Sequence, residues 1–192
     1  LPLPASEVIA DELRLLPPSL ELLPGYEAAL GAGWSPDTER DASTEQLAAL
    51  RRNPHAFLFE LTRQDGTVIT ASGRAVRRLP GRVYWLNDGD FSGTINLRYM
   101  QGTDRLPDYV SGHIGYAVVP WRRRRGYATR ALALILPIAR EIGLRQVDLT
   151  CDRDNDASGR VIVKNGGALV GQRREAGGKI KLVFRIDLAQ PE

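Results

Sequence analysis

Arg122 to Arg125 and Arg130 place five positive charges within nine residues, a density that concentrates anions nearby. Their surroundings narrow the kind of anion. The segment PWRRRRGYATRAL reads as a loop that opens a helix, so free amide hydrogens, the helix dipole and the arginines converge on one point, as phosphate recognition requires. Within Arg123-x-x-Gly126-x-Ala128, glycine lets the backbone approach phosphate oxygens, and the small Ala128 lets the helix begin beside them. The spacing is neither G-x-x-x-x-G-K-[ST] nor G-x-G-x-x-G, which sets aside the nucleotide-hydrolase loop and the dinucleotide fingerprint. A solvated charged face is the alternative reading of the arginines alone. Cys151 is the only cysteine, and His55 and His113 are far apart. An intramolecular disulfide is therefore impossible, no metal-ligand cluster is expected, and Cys151 reads as a small buried hydrophobe.

The elements that must hold this loop follow from periodicity and punctuation. Glu12 to Leu16 suits a short strand stopped by Pro17 and Pro18, with Ser19 capping a helix through LELLPGYEAAL. Ser43 or Thr44 starts a second helix through TEQLAALRR. Asn53 then Pro54 reads as N-cap and first helical position for HAFLFELTR, with a strand over 57–62 as the competitor. Gln64 to Gly81 is a glycine-rich, basic connection with some extended character. Arg82 to Asn87, the Asp88-Gly89 turn and Phe91 to Tyr99 form an antiparallel hairpin pattern. His113 to Val119 is a buried strand ended by Pro120, and GYATRALALILPIAREIGL is helical despite Pro137, stopping at Gly143. Gln146 to Cys151 is a strand, Asp156 to Asn165 a helix closed by Gly166 and Gly167, and Ala168 to Arg173 and Lys179 to Leu188 are strands joined across AGG. The strand, helix and strand over 113–151 form a right-handed crossover unit, with the arginine loop at a strand's carboxyl end.

These residues resemble the GCN5-related N-acetyltransferases, which bind the pyrophosphate of acetyl-coenzyme A through an R/Q-x-x-G-x-G/A loop. GHIGYAVVPWRRRRGYA is similar to that family's fourth strand and loop, LTCDRDNDASGRVIVKNGGALVG to its fifth strand and N-x-x-S helix, and LRLLPPS to its first strand. The resemblance implies an α/β fold: a central mixed, mostly antiparallel twisted sheet with splayed fourth and fifth strands and flanking helices. It implies one domain over 1–192, with 1–81 on the acceptor side and 82–192 as the sheet core. Pantetheine would pair with exposed backbone between the splayed strands, with Val118 and Val119 as partners and an amide there stabilising the oxyanion. Arg123, Arg124, Arg125, Gly126, Tyr127 and Ala128 would bind the pyrophosphate, Asn155 would reach the cofactor arm, and Ser158 would lie near the phosphates. An amine acceptor must lose a proton before direct attack on the thioester through a tetrahedral intermediate. His113, at the start of the fourth strand and with an ordinary pKa of ~6.5, is the candidate base. The family's usual tyrosine acid falls on Ile162, which cannot donate a proton, so Tyr116 and Tyr99 are the substitutes.

Composition bounds the function classes. The chain has 192 residues, 43% hydrophobic and 26% charged, suited to one core that buries roughly 70% of the unfolded surface. The run Ala131 to Ala139 is broken by Pro137 and far short of the ~20 residues that cross a bilayer, so no membrane span is expected. A lone cysteine and an opening, LPLPASEVIADEL, without a basic start and apolar stretch point to a cytoplasmic setting. Net charge is +3 and pI about 9.2, but residues 1–50 hold nine acids against Arg14 and Arg40, a balance of −7 that leaves +10 for the rest. That acidic part would repel a polyanion, so nucleic acid is not expected as a partner. The expected partners are acetyl-coenzyme A as cosubstrate and a small-molecule or peptide amine, with a homodimer as an allowed assembly and no metal. Acids such as Glu39, Asp41, Glu45, Asp104 and Asp108 favour a cationic acceptor, or else are ordinary solvated surface. The alternative is a non-catalytic coenzyme A binding module.

Overall fold

A computed structural model describes residues 13–69, 73–175 and 178–188. Glu12, the opening LPLPASEVIADE segment and most of the AGG junction lie outside the described residues. The chain begins with β1 (Arg14–Leu16) and three helices, α1 (Leu23–Gly31), α2 (Ser43–Arg52) and α3 (Pro54–Thr62). Asn53 caps α3 by accepting the Ala56 amide, and Pro54 fills its first turn, so the helical reading of HAFLFELTR holds and the competing strand does not form. The glycine-rich connection contains a short hairpin, β2 (Thr67–Ile69) against β3 (Ala75–Arg77). β4 (Gly81–Asn87) and β5 (Phe91–Arg98) follow as an antiparallel pair around the turn at Asp88 to Asp90.

The second half contains β6 (Ile114–Val118), α4 (Tyr127–Glu141), β7 (Gln146–Asp152), α5 (Asp156–Lys164), β8 (Ala168–Arg174) and β9 (Ile180–Asp187). The larger sheet has the order β1-β4-β5-β6 and a second the order β7-β9-β8; every ladder between the described strands is antiparallel. The strands expected to splay are β6 and β7. They end separate sheets, and among the described residues one backbone bond joins them, from the His113 amide just before β6 to the Asp148 carbonyl of β7 at 2.7 Å. The crossover unit therefore connects two sheets that meet at a fork rather than neighbours within one ladder.

Successive strand side chains face opposite sides, and this splits the first sheet's packing. Leu86, Ile95, Leu97, Ile114 and Val118 pack on α4 through Tyr127, Ala131, Leu132, Ile135 and Ala139, the i, i+4, i+8 stripe of an amphipathic helix. On the other face Trp85, Phe91, Ala117 and Val119 pack against Tyr26, Trp34 and Phe57 from the amino-terminal helices. Tyr26 stacks on Trp85 with centroids 4.7 Å apart and planes 14° off parallel. At the crowded crossing of β5 and β6, Gly93 has φ 145° opposite Val118. A β-carbon there would lie 2.3 Å from the Ala117 carbonyl, so only glycine lets β6 run this close.

Candidate functional site

The arginine loop is built from both of its ends. After β6, Pro120 to Arg122 make a single 3-10 turn, Arg123 is extended, and Arg124 (φ 60°) and Gly126 (φ 79°) adopt the left-handed conformation. Gly126 thereby caps α4 without a side-chain bond. Among the described residues, the amides of Arg124, Arg125, Gly126, Tyr127 and Ala128 donate to no protein group, leaving a run of N–H donors at a helix start, the concave nest that suits an anion. Arg124 and Arg125 are exposed beside it. Not every predicted contact is free. Tyr127 is 1% exposed, and its hydroxyl donates to Asp88, so only its amide belongs to the nest. Arg123 Nε donates to the Val118 carbonyl at 3.1 Å.

Asp88 is an anchor that the sequence disclosed only as a turn. Its side chain is fully enclosed and faces Arg122 at 3.5 Å, while it accepts Ser92 Oγ at 3.0 Å as well as the Tyr127 hydroxyl. The net effect holds its carboxyl below the usual carboxylate range: burial pushes it up, and the Tyr127, Asp90, Ser92 and Arg122 contacts outweigh that. The loop is thus bolted to the β4–β5 turn at both ends.

At the fork, backbone polarity decides which residues face the gap. The Val119 amide donates to the Ser92 carbonyl at 3.1 Å, and the Arg98 amide donates to the His113 carbonyl at 2.8 Å. Alternation then turns the polar groups of Tyr116 and Val118 toward β7. Of the two valines expected to meet pantetheine, Val118 turns its amide to the gap while its carbonyl accepts Arg123 Nε, whereas the Val119 amide is committed to β5.

His113 is 1% exposed and does not border the neighbouring cavity. Its Nδ1 accepts the Asp148 amide at 2.9 Å, which fixes the neutral ring with its proton on Nε2, and Nε2 has no partner among the described residues. Desolvation holds the imidazole below its ordinary pKa despite the charges of Asp148 and Asp104. The expectation of a base here meets a ring that instead closes the junction of the two sheets. A depressed histidine pKa means the unfolded chain takes up a proton near pH 6.5 that the folded one refuses. Stability will therefore fall as pH drops through 6.5 toward the folded value, by at most about 1.4 kcal/mol per pH unit. His113→Asn, whose Oδ1 can accept the same amide, removes this component. Urea midpoints at pH 7.5 and 5.5 check it, and equal losses in both proteins would exclude His113 as the source.

Across the fork, the Tyr116 hydroxyl lies 2.7 Å from Ser158 Oγ, and burial pushes its pKa up to about 12 despite that bond. Asn155 caps α5 by accepting the Ser158 amide at 3.0 Å. Ser158, expected near the phosphates, thus has its hydroxyl on Tyr116. Ile162 is fully buried. Cys151 is buried and its thiol pushed up by desolvation, the state of a packing residue rather than a nucleophile. Beside the fork lies a cavity of ≈ 560 Å³ bordered by Gly115 and Tyr116 of β6, Thr150 of β7, Asn96 and Arg98 of β5, and the segment before α2.

Four of the five acids named as attracting a cation are engaged within the protein. Glu39 bonds Lys181, Asp41 accepts both the amide and the hydroxyl of Ser43, Glu45 pairs with Arg40 at 2.6 Å, and Asp104 pairs with Arg145 at 3.1 Å. Among the described residues no helix is long and apolar enough to cross a membrane.

The acetyltransferase (GNAT) domain family matches residues 27–168. No curated protein sequence matches this one. Among solved structures, the chain is similar to the microcin C7 self-immunity acetyltransferase MccE in complex with acetyl-CoA and AMP, at 12% identity and TM-score 0.61, covering 92% of this chain and 93% of that one. It is likewise similar to a GnaT-family acetyltransferase from Bordetella pertussis (18%, TM-score 0.59, 92% and 96% covered). A third is the Salmonella typhimurium acetyl transferase that modifies the N-terminal serine of ribosomal protein L7/L12 (14%, TM-score 0.61, 91% and 94%). At these identities the structures establish a shared fold.

Proposed function

Because this chain belongs to the GNAT acetyltransferase family, we propose that it moves an acetyl group from acetyl-coenzyme A to a primary amine of a small molecule or peptide. The observation that carries this reading is one juxtaposition: amides at Arg124 to Ala128 that are unpaired among the described residues, beside the outward-facing amide of Val118, at the mouth of a fork whose backbones meet at His113. These residues fit a diphosphate followed by an amide-rich arm, the former on the nest and the latter along β6 as an added strand. When bound, acetyl-coenzyme A supplies a thioester whose carbonyl carbon takes the acceptor nitrogen as the C–S bond breaks; of the two protons the ammonium gives up, one reaches the sulfur and one solvent.

In this reading the Val118 amide polarises the reacting carbonyl. Tyr116, protonated at neutral pH because burial raises its pKa, delivers the proton to sulfur and is re-protonated through Ser158. His113 fixes the fork. Its accepting nitrogen is committed to the Asp148 amide, so the acceptor's proton leaves through water in the cavity. Incubating the purified protein with acetyl-coenzyme A and a panel of primary amines will release free thiol above the acceptor-free rate. Calorimetric binding of coenzyme A with no release for any amine would reduce the protein to a binding module.

A further inference from the structure

The cavity beside the fork carries a charge pattern opposite to the one the acidic amino-terminal sequence suggests. Its carboxylates among the described residues are Asp37 and Glu39. Glu39 is taken by Lys181, while Asp37 accepts the Glu39 amide and faces Arg40 at 3.6 Å. Its cations include Arg77, Arg78 and Arg98, and none of the three has a carboxylate within ion-pair distance among the described residues. Arg78 Nε is buried without a hydrogen-bond partner among the described residues.

Arg98 is the most constrained of them. It ends β5 on the cavity face, and its Nη2 donates to Asn96 Oδ1 at 2.9 Å. The guanidinium lies across β5 onto β6, over Gly115: a β-carbon at Gly115 would come within 3.3 Å of Nη2 and 3.4 Å of Asn96 Oδ1. Glycine at 115 leaves the space that the guanidinium occupies, one residue from Tyr116. Desolvation draws Arg98 below the ordinary arginine value, against the opposing charge of Asp37. A desolvated cation held in place by a neutral amide, with its remaining donors uncommitted among the described residues, is a costly arrangement in a protein alone. It becomes favourable when a planar or tetrahedral oxyanion meets its fork of donors.

We propose that the acceptor is a small amine that also carries a carboxylate or a phosphate, and that Arg98, set by Asn96 and Gly115, binds that anion while the amine faces the fork. This rests on the acetyl-transfer reading above. The cavity's volume suits a metabolite-sized molecule, and Thr150 and Tyr116 border the same space, so one such molecule spans from Arg98 to the reacting centre. A polyamine, with no anion to offer and several cations to place beside Arg98, is disfavoured.

Matched probes test this: each α-amino acid and β-alanine against its amide, and O-phosphoethanolamine against ethanolamine. For wild type, Arg98→Gln and Arg98→Lys, thiol release gives kcat and KM, and calorimetric titration into protein saturated with coenzyme A gives binding without chemistry. At least one anionic probe will exceed its neutral partner tenfold or more in kcat/KM and in affinity, and whether it is a carboxylate or a phosphate identifies the anion. Arg98→Gln will close that gap mainly through KM, and Arg98→Lys will keep part of it, which also serves if the glutamine variant fails to fold. Equal behaviour of anionic and neutral partners in the wild type, or equal losses for both members of a pair in Arg98→Gln, would overturn the assignment. An Arg98-dependent preference for the anion in calorimetry without thiol release would retain the anion site and reject acetyl transfer; release with neutral amines alone would do the reverse.

Discussion

Gly126→Val will raise the dissociation constant for coenzyme A roughly a hundredfold. Gly126 caps α4 at φ 79°, a left-handed conformation that a β-branched residue adopts only at a strain of about 1–3 kcal/mol. The variant loop relaxes away from that geometry, and rebuilding the nest on binding restores the strain, each 1.4 kcal/mol of which is a factor of ten in affinity. Two donors are lost together, because the peptide units on either side of Gly126 turn with it. Tyr127 remains bonded to Asp88 and the buried stripe of α4 is untouched, so circular dichroism and the thermal midpoint should change little. Calorimetric titration with coenzyme A is the measurement. Unaltered affinity in a folded Gly126→Val protein would remove the nest from the cofactor site.

Tyr116→Phe will lower kcat by about 10²–10⁴, the range for removal of a positioned general acid, while both KM values move by less than about threefold. The ring keeps its packing, and only the hydroxyl facing Ser158 Oγ is lost, a deletion worth about 1 kcal/mol in stability. Since the Tyr116 pKa is pushed up to about 12, the wild-type rate will show no alkaline decline from this residue below about pH 10. Steady-state kinetics of thiol release separate kcat from KM. A Tyr116→Phe enzyme with full kcat would show that the thiolate departs without help from this hydroxyl.

The two residues differ in how far the sequence discloses them. Gly126 and its arginines are legible because the loop proposed to hold phosphate is local: six consecutive residues supply the glycine, the amides and the helix start. The β4–β5 hairpin, α4 with its tolerated Pro137 and the final strand pair β8–β9 are legible for the same reason, since period and punctuation act over short windows. Asn53 and Pro54 resolve the ambiguous HAFLFELTR stretch toward helix because the cap contact is also local. The hairpin β2–β3 is obscured because three-residue strands carry too little alternation to read. What escapes is non-local. The Tyr116 contact with Ser158 spans 42 positions and the His113 contact with Asp148 spans 35. No spacing rule reveals that an imidazole at a strand start accepts a distant amide. The acids of residues 37–45 mislead for a related reason, since charge counting cannot see that Lys181, 142 positions from Glu39, already meets one of them.

The junction at His113 has a mechanical consequence. Among the described residues the two sheets are hydrogen-bonded to each other by one backbone bond and one ring nitrogen, while Val118 of β6 and Leu149, Cys151 and Phe184 of the second sheet share one apolar core. Two polar struts add to that packing: Tyr116 against Ser158, and Glu39 reaching from the amino-terminal segment to Lys181 on β9. What joins the two ladders is therefore apolar packing rather than backbone rungs, and they stand as two stiff jaws cemented side chain to side chain.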